Sequence, residues 1–172
     1  KQNGFYDDHF IEKYNQLAAA VHEYGSKLII QISCAGRQTN LEATEGQTPL
    51  APSPVSYKRT GITPAEMTQQ QIEEMIDAFT AAIARARQTG ADGVQLHVAH
   101  GYALAQFVSP YTNRRNDQWG GSIENRTRII REILTRSQHC FDENFILLAK
   151  LNSTDGSTCP EYLTLDDVIY TA

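Results

Sequence analysis

Residues 90–102 read Gly90-Ala91-Asp92-Gly93-Val94-Gln95-Leu96-His97-Val98-Ala99-His100-Gly101-Tyr102. The apolar run at the centre of this stretch predicts a short buried strand, Val94-Gln95-Leu96-His97. His97 ends that strand, and His100 and Tyr102 fall in the loop just beyond it. Gly90 closes the helix upstream. That helix opens on Thr68 with Gln71, a T-x-x-Q capping box. It continues through Ile72, Met75, Ile76, Phe79, Ile83 and Ala86 at helical spacing.

The same helix-then-strand unit recurs on both sides. A helix from near Asp8 carries Phe10, Ile11, Tyr14, Leu17, Ala18 and Val21 on one face and ends at Gly25. Leu28-Ile29-Ile30-Gln31-Ile32 follows as a strand suited to burial on both faces. A third helix begins near Ser122, with Ile123, Ile129, Ile130, Ile133 and Leu134. Phe145-Ile146-Leu147-Leu148-Ala149 is the next strand. Thr164 then reads as the N-cap of a fourth helix, with Asp166 and Asp167 in its first turn. Helix-to-strand links are short (25–26, 91–93, 141–144), whereas strand-to-helix links are long (34–67, 98–121, 152–163). The long loops all leave the C-terminal ends of strands, the edge that carries ligands in α/β folds. This pattern predicts an α/β fold and fits both an open doubly wound sheet and a barrel.

Composition narrows the partners. A content of 41% hydrophobic and 20% charged residues in 172 is that of a globular domain. The formal charge of -5 and the lack of any Lys/Arg block argue against nucleic acid or an anionic membrane as partner. No apolar run approaches the roughly 20 residues of a spanning helix. Cys34, Cys140 and Cys159 match no metal or cluster spacing and read as buried thiols in a reducing cytoplasm.

The candidate chemistry sits at strand ends. Two imidazoles and a phenol at one strand mouth suit a carbonyl oxygen that gains negative charge, and a phenol can deliver a proton. Packing at a sheet rim, or a metal, would also use such a pair, but no third ligand stands in a recognisable motif. Gln31 interrupts an apolar strand. A buried carboxamide there needs partners, either backbone groups or a planar heterocycle with adjacent donor and acceptor atoms. Lys150 ends its own strand, either reaching solvent or placing a cation near an electron-accepting ring. Gly120-Gly121-Ser122 reads as a turn before an N-cap rather than a phosphate loop. Arg114, Arg115, Arg126, Arg128 and Arg131, interleaved with Asp117, Glu124 and Glu132, read as a solvated or salt-bridged face.

The segment from Gly90 to Tyr102 resembles the signature of the Old Yellow Enzyme family of ene reductases. The resemblance continues through Gln106-Phe107-Val108-Ser109-Pro110, then Asn113, Arg115, Asp117, Gly120-Gly121-Ser122 and Glu124-Asn125-Arg126. Upstream it includes Gln31, Ala35-Gly36-Arg37, Ala51-Pro52-Ser53 and Met67-Thr68, in order. It implies a TIM (β/α)8 barrel with FMN at its C-terminal face, of which this chain is a partial one, about barrel strands 3 to 5 with their helices. Residues 1–172 then form a single incomplete FMN-binding segment, since such a barrel takes about 250 residues and three strands cannot close it.

The implied activity is that of an oxidoreductase taking electrons from NAD(P)H and reducing the C=C bond of an enone or related activated alkene. The fragment alone is expected to be inactive. By position, Gln31, His97 and Lys150 would face the flavin, His97 and His100 would hold the substrate carbonyl oxygen, and Tyr102 would protonate the α-carbon. No metal is implied. Lys150 stands where an arginine is usual, and Cys34 where a histidine commonly precedes the Gly-Arg step. Two alternatives are a dienoyl-CoA reductase or amine dehydrogenase on the same barrel, and a non-catalytic truncated remnant.

Overall fold

The structure is a computed structural model and describes residues 3–156 and 161–172; Cys159 lies outside the described residues. Three parallel strands, β1 (Ile29–Ile32), β4 (Gly93–Val98) and β5 (Ile146–Leu151), form one sheet in the order β1-β4-β5. Between β1 and β4 in sequence lie two short strands, β2 (Leu50–Ala51) and β3 (Ala65–Glu66), paired parallel in a sheet of their own. They organise the long loop that the sequence reading left without structure.

The helices follow their sequence signals. A 3-10 turn at Asp8–Phe10 leads into α1 (Ile11–His22), and Gly25 ends that segment with φ +68. Of the apolar face expected on α1, only Ala18 is fully buried and Leu17 is exposed. α2 (Gln69–Gln88) starts at the expected capping box: Gln71 N–H donates to Thr68 Oγ1 at 3.2 Å, and Thr68 N–H to Gln71 Oε1 at 2.9 Å. Its buried residues Ile72, Ile76, Phe79, Ile83 and Ala86 keep helical spacing.

After β4 comes an unanticipated helix, α3 (Ala103–Val108), buried at every position. The third predicted helix divides at Thr127 into α4 (Ile123–Arg126) and α5 (Arg128–Ser137). α6 (Leu165–Thr171) begins at a Thr164/Asp167 capping box. None of the described helices is long and apolar enough to cross a membrane.

Strand side chains alternate between two faces. Ile30, Ile32, Val94, Leu96 and Val98 point toward the helices and join Ile72, Ile76, Phe79, Ile83, Ile129, Ile130 and Ile133 in one core. The other face carries Ile29, Gln31, Gly93, Gln95, His97, Ile146, Leu148 and Lys150 in register. Ile146 and Leu148 are exposed there.

The loop after β4 is held by buried polar side chains rather than by a solvated charge face. Arg115 donates to the Pro52 and Met67 carbonyls at 3.1 and 2.7 Å and pairs with Asp117 at 2.6 Å. Arg126 pairs with Asp167 at 2.7 Å and also bonds the Gly121 and Val108 carbonyls. Both guanidinium groups are buried and ion-paired, so for these two the salt-bridged form of the expected charged face holds and the solvated form does not. Free carbonyls in irregular backbone need donors, and a guanidinium supplies five. Asn113 does the same for Phe107 and Trp119, at 2.7 Å each.

Candidate active site

The register of the sheet decides which candidates share a surface. Gln31 lies opposite Gln95, and His97 lies opposite Lys150. Gln31, Gln95, His97 and Lys150 therefore occupy one face, at the C-terminal half of the strands. Gln31 stands one strand over and two residues back from His97, on the order of 8 Å away. His100 and Tyr102 are delivered to the same place by the loop after β4. The His97 ring lies 5.0 Å from the His100 ring and 5.1 Å from the Tyr102 ring, centroid to centroid.

His97 is buried, and its Nδ1 has no hydrogen-bond partner. An unpaired buried ring nitrogen costs about 1–3 kcal/mol, which a bound ligand atom would recover. Burial, then the nearby His100 and Lys150, hold the His97 imidazole below the ordinary histidine pKa. It is therefore neutral at pH 7, with one nitrogen able to donate and the other to accept. His100 is exposed and Tyr102 is partly buried.

Gln31 and Lys150 are exposed on this face, and their side chains have no hydrogen bond or ion pair among the described residues. The sequence reading expected a buried carboxamide at Gln31. The helices cover only the opposite face of the sheet, so an inward-facing polar group here is open. Cys34 is likewise exposed rather than buried, and Cys140 is buried. Gln95 was not singled out from the sequence. Its signal was the alternation Val94-Gln95-Leu96-His97, which sets residues 95 and 97 on one face.

Beside the cluster opens a cavity of about 620 Å³, lined by Arg37, Gln38, Tyr57, His100, Tyr111 and Asn152 among others. Gln31, His97, Tyr102 and Lys150 do not line it, so the convergence of polar groups belongs to the face.

A face with an open amide, an open ammonium and an orphaned neutral imidazole fits a flat, polar-edged ring with an oxygen-bearing ligand stacked near it. Residues 1–158 match the model of the NADH:flavin oxidoreductase / NADH oxidase family. The chain belongs to this family. The members are oxidoreductases that bind FMN and use NAD(P)H as reductant.

Among curated members, an NADH oxidase of Thermoanaerobacter brockii is 47% identical over 159 residues, 90% of this chain and 24% of that protein. Among solved structures, a 2-naphthoyl-CoA reductase in complex with 2-naphthoyl-CoA superposes with a TM-score of 0.89 at 31% identity, covering 99% of this chain and 27% of that one. An old yellow enzyme homologue from Zymomonas mobilis gives a TM-score of 0.75 at 27% identity, over 85% of this chain and 44% of that one. The chain thus spans a quarter to less than half of these family members. The parallel α/β arrangement is theirs.

Proposed function

We propose that this chain supplies part of the flavin and substrate site of an ene reductase, and that β1, β4 and β5 are strands three to five of an eight-stranded barrel. Strand order supports the barrel: neighbours are added in one direction, with all packed helices on one face. The reading of the site rests on one observation. The orphaned, buried His97 stands on the same sheet face as Gln31 and Lys150, with the His100 and Tyr102 rings against it.

FMN, when bound, would supply the hydride chemistry, with NAD(P)H as the donor and the β-carbon of an activated alkene as the acceptor. The side chains of this chain do the rest. Gln31 offers both donor and acceptor to the edge of the ring system, and His97 borders the same ring. Lys150 places positive charge where reduction adds negative charge. His97 and His100 donate N–H groups to the substrate carbonyl oxygen and stabilise the charge that develops on it. Tyr102 gives its phenolic proton to the α-carbon as the hydride reaches the β-carbon, so hydride plus proton saturate the double bond.

Tyr102→Phe, made in the full-length protein that carries this segment, tests this directly. Stopped-flow measurement should find flavin reduction by NAD(P)H unchanged and alkene reduction slowed by about 100-fold or more. Equal rates in both half-reactions would remove Tyr102 as the proton donor.

A second reading, a reductase of acyl-CoA thioesters, is favoured by the superposition of nearly the whole chain on the 2-naphthoyl-CoA reductase. Comparing turnover of 2-cyclohexenone with that of an α,β-unsaturated acyl-CoA separates the two.

A further inference from the structure

His100 is one of only two non-glycine residues with positive φ among the described residues, at +57. For a residue with a Cβ this conformation costs roughly 1–2 kcal/mol, so something must hold it. Two side chains do. The His100 N–H donates to Asn152 Oδ1 at 3.1 Å, and the His100 carbonyl accepts from Gln38 Nε2 at 2.8 Å. The orientation of both amides is dictated by their partners. A peptide N–H can only donate, so Asn152 must present oxygen; a carbonyl can only accept, so Gln38 must present nitrogen.

Asn152 directly follows β5, and Gln38 lies in the turn after β1, closed by its N–H to Ala35 O at 3.1 Å. The segments that follow the two strands flanking β4 therefore each send one side chain to the backbone of the same residue, one to the peptide on either side of its Cα. Gly101 makes room for this, because a Cβ there would lie 2.4 Å from Gln38 Nε2. Gln106, fully buried, locks the turn that carries Gln38. Its Oε1 accepts the Arg37 N–H at 3.2 Å, and its Nε2 donates to Ala35 O at 3.2 Å and Gly101 O at 2.6 Å.

We propose that Gln38 and Asn152 are positioning residues that pin the His100 backbone in its left-handed conformation and so keep its ring against His97. The consequence for substrate rests on the reading above, in which His97 and His100 share the carbonyl oxygen. Without the two amides, His100 relaxes to negative φ and its ring leaves the pair.

The two clamps respond oppositely to one chemical change. Asn152→Asp keeps an oxygen facing the N–H, whereas Gln38→Glu sets a carboxylate against a carbonyl. Proton NMR of the purified chain reads the ring pair through a His97–His100 ring-to-ring NOE. The NOE should persist in the wild type and Asn152→Asp, and vanish in Gln38→Glu and Asn152→Leu. In the flavin-loaded protein, affinity for 4-hydroxybenzaldehyde should fall about tenfold in those last two variants, the worth of about one hydrogen bond. Flavin content should not change.

A purely structural role would lower the urea midpoint of Gln38→Glu and Asn152→Leu but leave NOE and affinity intact, and that result overturns the proposal. If the NOE behaves as stated while the wild type binds no phenol, the clamp stands and the oxygen-binding reading fails.

Discussion

At the scale of single residues, the site is a matter of protonation as much as of position. His97 in the folded chain binds its proton more weakly than an ordinary histidine, because it is buried and faces His100 and Lys150. The unfolded chain, with a histidine pKa of about 6.5, takes up the proton first as pH falls. Folded stability from this group is therefore full above about pH 6.5 and is lost as pH drops through the lower folded value. Urea denaturation at pH 7.5 and pH 5 should show the loss, and His97→Asn should flatten it. A slope as steep in the variant as in the wild type would assign it elsewhere. The depressed carboxylates Asp92, Asp117 and Asp167 respond only at lower pH, below about 4, so the two windows separate. His97, His100 and Tyr102 could be singled out in the sequence because two imidazoles and a phenol fall together at one strand end. Gln38 and Asn152 were not, because an amide in a loop carries no signal until its partner is known.

At the scale of elements, legibility followed periodicity and caps. α2 was readable from both, and Thr68→Ala should lower stability by about 1 kcal/mol in thermal or urea unfolding. An unchanged midpoint would mean that the first turn is held by other contacts. α6 was readable from Thr164 and Asp167 in the same way. α3 was not. All six of its residues are buried, including Gln106, so no polar face exists to mark a helical period. Its one polar side chain serves the neighbouring loops. β2 and β3 are two residues each, too short for any alternation to show. For Arg115 and Arg126 the sequence left a solvated and a salt-bridged face open, because it reports charge but not the unpaired carbonyls that draw a guanidinium inward.

At the scale of the molecule, stability and chemistry lie at opposite ends of the strands. Asp92, immediately before β4, accepts from Lys27 Nζ at 2.6 Å and Leu28 N–H at 2.9 Å, and meets His22 Nε2 at 2.7 Å. Burial opposes its ionisation, but these donors outweigh burial and hold the carboxyl well below the usual range. Asp92→Ala should therefore cost about 2 kcal/mol in urea unfolding. Phenol affinity of the flavin-loaded protein should stay the same, because the His97 end is a full strand away. A matching loss of affinity would show that the two ends are coupled. What the sequence by itself determined is the succession of the longer helices and strands and the placing of the long loops at strand C-termini. Periodicity, caps and turn residues are local, and local information suffices for them. Only the tertiary structure decided that Gln31, Gln95, His97 and Lys150 share one face, that the face is the one without helices, and that amides from both flanking loops grip His100. Strand register and long-range hydrogen bonds join residues 52 to 64 apart in sequence, and no local pattern encodes such a pairing.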